Sequence, residues 1–387
     1  MIWSEIIKEI EELKQKNLYR RLRELKILSP THAIINGKEV ILFCSNNYLG
    51  LTHHPEVINV ANEIIKKYGT GSGASRLISG HNHLYKELEN TLAKFKEVEA
   101  ALVFSTGYTT NIGVISALVG RKDAIFCDKL AHASIIDGCL LSGAKIFRFK
   151  HNDLEHLKWL LEKETQYRRR LIITEGVFSM DGDLAPLPEI YELAGKYDAI
   201  LLVDDAHGTG VIGEKGKGTL AYYGIKGERI IQIGTLSKAI GALGGFVGGS
   251  KIFIEYLINK ARSFIFTTAL PPAVIASAKK AIEILENDST LLQKLRENIL
   301  ILRKGISELG FKLPPYPTPI IPLIVGEAEK ALKLSERLFE EGFFIPAIRP
   351  PAVPKGTARL RITVSAMHTK KEINKLLNTI KKLINEL

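Results

Sequence analysis

Cysteine is scarce in this 387-residue chain: Cys44, Cys127 and Cys139 are its three, with no CxxC pair and no histidine nearby at metal-ligand spacing. That excludes a disulfide framework and argues against a zinc site, so buried thiols and no bound metal are the expectation. No long apolar run is present either. The longest stretch without a charged residue, 100–120, has the polar, glycine-containing STGYTTN at its centre, which fits a buried strand, a loop and a helix start better than a membrane span. The N-terminal MIWSEIIKEIEELKQKNLYRR is amphipathic and acid-rich and lacks the apolar core and cleavage site of a signal peptide. A cytoplasmic location without a membrane partner follows as the expectation. Methionine is rare, at three residues, and with abundant Lys, Glu and Ile this is a composition that suits a thermophile. Repeats and low-complexity tracts are absent.

What is present is the make-up of a folded globular protein, 45% hydrophobic and 25% charged, long enough for more than one packed unit. The formal net charge of +11 bears on partners and steering rather than on fold. Its densest basic run, RRR at 168–170, lies between a helical pattern and the strand-like LIITEG, which predicts a solvated loop. No zinc finger, RNA-recognition motif or basic zipper accompanies it, so no nucleic-acid partner is expected.

From about residue 56 to 282 short β-branched runs alternate with helical stretches, the pattern of a mostly parallel sheet covered on both faces. The strands are ALVFS, DAIFCD, KIFRF, LIITEG, AILLVDD, RIIQIGT and GGFVGG; helices are expected at 153–164 and 187–197. Beyond residue 285 a long charged helix at 290–309 leads to PPYPTPIIPLIVG, whose prolines end it. A smaller α+β unit follows, with strands IIPLIV and RLRITV and helices at 327–341 and 370–386. The division is therefore an N-terminal helix and arm at 1–44, a large α/β domain at 45–286 and a small C-terminal domain at 287–387. The N-terminal helix is expected to pack on or bridge to the small domain, because its apolar stripe needs a partner.

The chemistry concentrates where strands end, which is where ligands bind in open parallel sheets. In STGYTTN, Gly107 allows close approach and the following N–H groups open a helix, an arrangement suited to phosphate; glycine at a helix start is more often purely structural. Asp204 and Asp205 end an apolar strand, where unpaired carboxylates are costly to bury, so a ligand or a cation partner is implied. His207 follows them in DDAHG. Lys238, in GTLSKAIGALGG, has uncharged neighbours and small residues beside it, surroundings that lower an amine's pKa and favour the nucleophile needed for a Schiff base. A surface lysine fits those neighbours poorly. A reactive lysine with a carboxylate upstream, able to hold a pyridine nitrogen protonated, points to pyridoxal 5'-phosphate.

The strings SNNYLGL, GSGASRLISG, TEGVFSMDGD, VDDAHGTG, TLSKAIGALGG and PPAVPKGTARLRIT, in this order over essentially the whole chain, resemble the α-oxoamine synthase family of fold-type I pyridoxal-phosphate enzymes. The resemblance implies an α/β fold-type I transferase with Lys238 in the internal aldimine, Asp204 on the pyridine nitrogen and His207 on the phenolic oxygen. It also implies phosphate-loop contacts from Gly107 and Tyr108, a polar shell from Ser179 and Thr235, and His132 stacked on the ring. Thr267 and Thr268 would reach the phosphate from a second subunit, so a homodimer is implied.

For substrates the resemblance points to Arg361 as the clamp for an amino-acid carboxylate, with Arg20 and Asn47 nearby and Arg349 as a further carboxylate contact. Within the family, AIRPPAVPKGTARLRIT and TEGVFSMDGDLAPL resemble the biotin-pathway member, although Ala352 stands where that member commonly has threonine. This implies an acyltransferase that condenses L-alanine with a pimeloyl thioester carried by acyl-carrier protein or coenzyme A. Condensation with glycine, as in 2-amino-3-ketobutyrate ligase, is the alternative. A regulator built on this fold would need a DNA-binding extension, for which the arm before Asn36 is too short.

Overall fold

The computed structural model describes residues 2–16 and 18–384. Seven strands form its central sheet, ordered Ala100–Phe104, Gly245–Gly249, Ile230–Thr235, Ile200–Asp204, Arg170–Glu175, Ala124–Asp128 and Lys145–Phe149. Neighbours run parallel from Ile230–Thr235 to Lys145–Phe149. Gly245–Gly249 is antiparallel to both its neighbours. The expected mostly parallel sheet is therefore present, with one reversed strand.

Alternation along the strands shows why both faces must be covered. Leu171, Ile173 and Leu202 pack on one side with Val114, Ile115 and Ile135. Ile172, Leu201 and Val203 pack on the other with Leu157, Leu187 and Ile190. Each fully buried side chain of this kind contributes about 1.5–3 kcal/mol, so successive residues of one strand hold helices to opposite faces. The helices Leu154–Lys163 and Leu187–Lys196 lie within a residue of the expected bounds.

The C-terminal part has the antiparallel order Ile320–Gly326, Ala358–Thr363, Ala347–Ile348 with helices Thr290–Glu308, Ala328–Glu340 and Lys370–Ile384. Of the helix expected over 370–386, residues 385–386 lie outside the described residues. One apolar core runs from Leu49, Leu88 and Ile275 to Leu295, Ile321 and Leu360 and so joins this part to the central sheet.

Three features depart from the sequence reading. The arm forms strands Lys26–Ser29, His32–Ile35 and Lys38–Leu42, and Phe343–Phe344 joins the last of them in parallel. The turn is Asn36-Gly37, with φ of 52° and 78°, the dipeptide that a tight hairpin with two positive φ angles favours. The helix Ile2–Gln15, expected to pack on the C-terminal unit, buries no residue. Its apolar stripe includes Trp3, 70% exposed.

The basic run 168–170 also differs from a free loop. Arg168 donates twice to the buried Asp123 carboxylate, at 2.9 Å each, and Arg169 donates to the Leu118 carbonyl. Arg170 begins a strand.

Candidate active site

Glu175 and Asp204 end neighbouring parallel strands in register with each other, and Thr235 ends the next. The loops beyond these strand ends carry His207 and Lys238, while Arg361 comes from the C-terminal strand Ala358–Thr363. Their side chains meet in one chain of contacts. Lys238 Nζ lies 2.8 Å from His207 Nε2, and His207 Nδ1 lies 2.8 Å from Tyr48 Oη. Arg361 Nη2 donates to Tyr48 Oη at 3.5 Å and to Asn46 Oδ1 at 3.2 Å, and Arg361 Nε donates to the Ser179 carbonyl at 2.5 Å.

A second network holds Asp204. Its Oδ2 accepts from Asn111 Nδ2 at 2.7 Å and its Oδ1 from the Ala206 N–H at 3.0 Å. Asn111 Nδ2 also donates to Ser134 Oγ, which lies 2.8 Å from His132 Nδ1. The His132 N–H donates to Glu175 Oε1 at 2.7 Å. His132 caps the helix Ala133–Ser142 and is itself exposed.

Next to Asp204, the buried Asp205 carboxylate lies 3.0 Å from Lys96 Nζ. It accepts from Thr219 Oγ1 at 2.8 Å. Removing one partner of such a buried pair costs about 3–5 kcal/mol, so Lys96 anchors the strand end that presents Asp204 and His207. This is the cation partner the paired aspartates called for, and it serves Asp205.

Burial decides the electrostatics. It lowers the Lys238 pKa to about 8 against the pull of Asp204 and Glu175, which leaves an appreciable fraction of neutral amine near neutrality. His207 is held well below the ordinary histidine range, first by burial and then by Lys238 and Arg361. Glu175 rises to about 8 because it is buried beside Asp204. Partial burial lowers His132.

At the sheet's edge, Thr106 and Thr109 cap each other at the start of the helix Gly107–Leu118. The N–H groups of Gly107 and Tyr108 have no acceptor among the described residues. A Cβ on Gly245 would come within 2.3 Å of Thr110 Oγ1 and 2.7 Å of Gly107 Cα, and one on Gly107 within 3.3 Å of Thr235 Oγ1. This is a cradle kept open by missing side chains at a positive helix end. The buried Asn111 Oδ1, also without a partner among the described residues, sits beside it on the same helix. A phosphate at the helix start, an aldehyde at Lys238 and a ring nitrogen at Asp204 fit these donors, so the residues present suit pyridoxal 5'-phosphate.

The remaining candidates are spread more widely. Thr235 is buried and donates to the Gly244 carbonyl. Thr267 Oγ1 and the Thr268 carbonyl lie 3.5 and 3.4 Å from Ser105 Oγ, directly before the helix cap. The Tyr108 hydroxyl bonds Asp137. Asn47 donates to Thr52, and its own Oδ1 is buried without a partner among the described residues. Arg20 is exposed on the arm, and Ala352 is exposed and donates its N–H to the Arg349 carbonyl. Arg349 lines a groove of about 570 Å³ with Lys16, Leu18 and Lys355. Sequence reasoning missed Asn46, Tyr48, Asn111, Ser134 and Glu175, which bond directly to Arg361, His207, Asp204 and His132 and hold them in place. Four of these five lie inside or beside motif strings already quoted.

A family model for class I and II aminotransferases matches residues 38–380. A protein of Desulforudis audaxviator is 57% identical over 97% of this chain and 98% of its own length. The 8-amino-7-oxononanoate synthase of Geobacter sulfurreducens is 47% identical over 98% of this chain and 97% of its own length; that of Symbiobacterium thermophilum is 49% identical over 99% and 98%. Among solved structures, a serine palmitoyltransferase from S. paucimobilis with a bound PLP–myriocin aldimine superposes with a TM-score of 0.93 at 35% identity, covering 99% of this chain and 98% of the other. An 8-amino-7-oxononanoate synthase from Francisella tularensis gives 0.79 at 31%, covering 90% and 98%.

Proposed function

The chain belongs to the class I and II aminotransferase family, among its 8-amino-7-oxononanoate synthases, and from that membership we propose that it joins L-alanine to a pimeloyl thioester. The products are 8-amino-7-oxononanoate, carbon dioxide and the free carrier thiol, a step of biotin biosynthesis. It is a pyridoxal-phosphate-dependent acyltransferase of fold type I. The observation that carries the reading is the convergence of Lys238, His207, Asp204 and Arg361 at the carboxyl ends of the strands. Glycine in place of alanine is not favoured by these relatives.

Pyridoxal 5'-phosphate supplies an electron sink next to the substrate's amino nitrogen. Asp204, held by Asn111 and by the Ala206 N–H, keeps a proton on the ring nitrogen. His207 would hold the phenolic oxygen and the N–H groups of Gly107 and Tyr108 the phosphate, with Thr235 beside Gly107 and Ser179 completing the polar shell. Arg361 receives the alanine carboxylate as a planar donor, a task to which guanidinium geometry is suited; Asn47, Arg20 and Arg349 are further substrate contacts. Lys238 Nζ, as the neutral amine, would take the α-proton and return one to the product. His132 would stack on the cofactor and donate to the oxygen on which charge develops.

The working unit in this reading is a homodimer in the cytoplasm, with Thr267 and Thr268 reaching the partner's phosphate site. Among the described residues no helix is long and apolar enough to cross a membrane. A net charge of +11 suits an acidic carrier, whether acyl-carrier protein or the phosphates of coenzyme A. The test is to incubate the cofactor-loaded protein with L-alanine, glycine and L-serine against pimeloyl thioesters of both carriers and to identify products by mass spectrometry. Alanine-dependent 8-amino-7-oxononanoate is expected; a glycine product alone would overturn the assignment.

A further inference from the structure

Tyr48 is fully buried and stands outside the list of groups that touch a substrate or cofactor, yet its hydroxyl is the junction of the lysine network. Three groups meet it: His207 Nδ1 at 2.8 Å, Asn46 Oδ1 at 3.1 Å and Arg361 Nη2 at 3.5 Å. A phenol has one proton to give and two lone pairs to offer. Arg361 can only donate, so it takes a lone pair. The proton then goes to His207 Nδ1 or to Asn46 Oδ1.

That choice fixes the imidazole. If Tyr48 donates to Nδ1, neutral His207 carries its proton on Nε2 and is a donor toward the position of Lys238 Nζ. If Tyr48 donates to Asn46, Nδ1–H donates to Tyr48 and Nε2 becomes an acceptor, which suits an ammonium on Lys238. The first arrangement pairs with a neutral Lys238 amine and the second with its ammonium; passing from second to first, the ammonium gives a proton to Nε2, Nδ1 gives up its own with net loss of one proton, and the Tyr48 hydroxyl turns from Asn46 to Nδ1. The charged and titratable groups that bear on His207 are Lys238, Arg361, His132 and Tyr48, all cationic or neutral. Asp204 and Glu175 act on the neighbouring Lys238, but among the described residues no carboxylate hydrogen-bonds the His207 ring, so the neutral tautomers are the states being chosen.

We propose that Tyr48 is a positioning residue that sets the tautomer of His207, presenting Nε2 as acceptor to the free Lys238 ammonium and as donor to the phenolic oxygen of bound cofactor. The inference rests on the cofactor placement given under Proposed function. Its consequence is spectroscopic. A donor at the phenolic oxygen stabilises negative charge there and weakens that oxygen's hold on the neighbouring proton between cofactor and lysine. Without the Tyr48 hydroxyl, the Nε2–H tautomer loses the bond that selects it, and that proton is held more tightly.

The experiment is a pH titration of the visible absorbance of the cofactor-loaded protein, wild type against Tyr48→Phe, with Lys238→Ala as control. Tyr48→Phe keeps the ring that fills the core and removes only the hydroxyl. The expected result is an upward shift of the titration midpoint, corresponding to about tenfold tighter proton binding, as loss of one hydrogen bond to a charged group produces. Asn46→Leu, which removes the competing acceptor and leaves Tyr48 committed to His207, is expected to move the midpoint the other way or leave it in place. If Tyr48→Phe binds cofactor and titrates as wild type does, the proposal fails. If the wild-type protein shows no lysine-dependent visible band, the cofactor placement itself fails. A Tyr48→Phe protein that does not fold leaves Asn46→Leu as the deciding variant, and an upward shift there overturns the proposal.

Discussion

A single amine sets the residue-scale behaviour. Because burial lowers Lys238 to about 8, loading of pyridoxal 5'-phosphate onto the apoprotein should quicken with rising pH and level off above about 8, where an exposed lysine would continue to gain toward its usual value of about 10.4. Stopped-flow absorbance across pH 6 to 10 reads this directly. Lys238→Ala should abolish both the lysine-dependent band and turnover. Asp204→Asn should retain cofactor while kcat falls by about two to four orders of magnitude, the range over which a positioned proton-holding group acts; near-normal turnover would remove Asp204 from the electron sink. The reactive residues were legible in the sequence because their neighbours are chemically odd: a lysine among glycines and alanines, two aspartates closing an apolar strand. Tyr48, Asn111 and Glu175 were not legible, since each acts through a partner distant in sequence. Tyr48 and His207, for example, are 159 residues apart.

Elements carry the next set of consequences. The phosphate cradle depends on two backbones lying close together, so Gly245→Ala, whose Cβ would come within 2.7 Å of Gly107 Cα, should push back the start of the helix Gly107–Leu118. Cofactor release, followed by absorbance after dilution, is expected to quicken at least about tenfold while far-ultraviolet circular dichroism is preserved. His368 is a second clip. Its Nε2 faces the Leu42 carbonyl at 3.1 Å, its Nδ1 accepts from the Ser365 N–H at 2.9 Å, and its ring stacks on Phe43. Burial lowers its pKa to about 4 from an ordinary 6.5. The unfolded chain therefore binds the proton first: the stabilisation is complete above pH 6.5 and is lost as pH falls toward 4, by at most about 1.4 kcal/mol per unit. The Tm of His368→Gln should be lower at pH 7 and should fall less steeply between pH 6.5 and 4. Strand and helix positions were readable from periodicity because burial on two faces writes itself into β-branched runs. The reversed strand Gly245–Gly249 and the arm's sheet were not, because strand direction and pairing partners are set by contacts far along the chain.

At the scale of the whole molecule, surface left uncovered by one chain is the main issue. Leu77 and Ile78 are 50% and 82% exposed, and Phe266 is 71% exposed; their segments are joined by the Ser75–Thr268 bridge beside the proposed second-subunit contacts. In the homodimer proposed above, Ile78→Glu should shift sedimentation toward monomer and weaken cofactor retention together. A change in assembly without loss of cofactor would separate the dimer from the site. The stripe on Ile2–Gln15 was expected to find its cover within the chain, and periodicity could not reveal otherwise, since an amphipathic pattern states that a face needs a partner but not whose. The buried Lys96–Asp205 pair has a different reach. Keeping two charges out of water becomes less unfavourable on warming, because ion hydration weakens as temperature rises. The strand end that presents Asp204 and His207 is thus tied down by a bond that gains ground in heat, when helix ends and loops elsewhere are loosening, so the catalytic geometry should be among the last parts of the fold to soften.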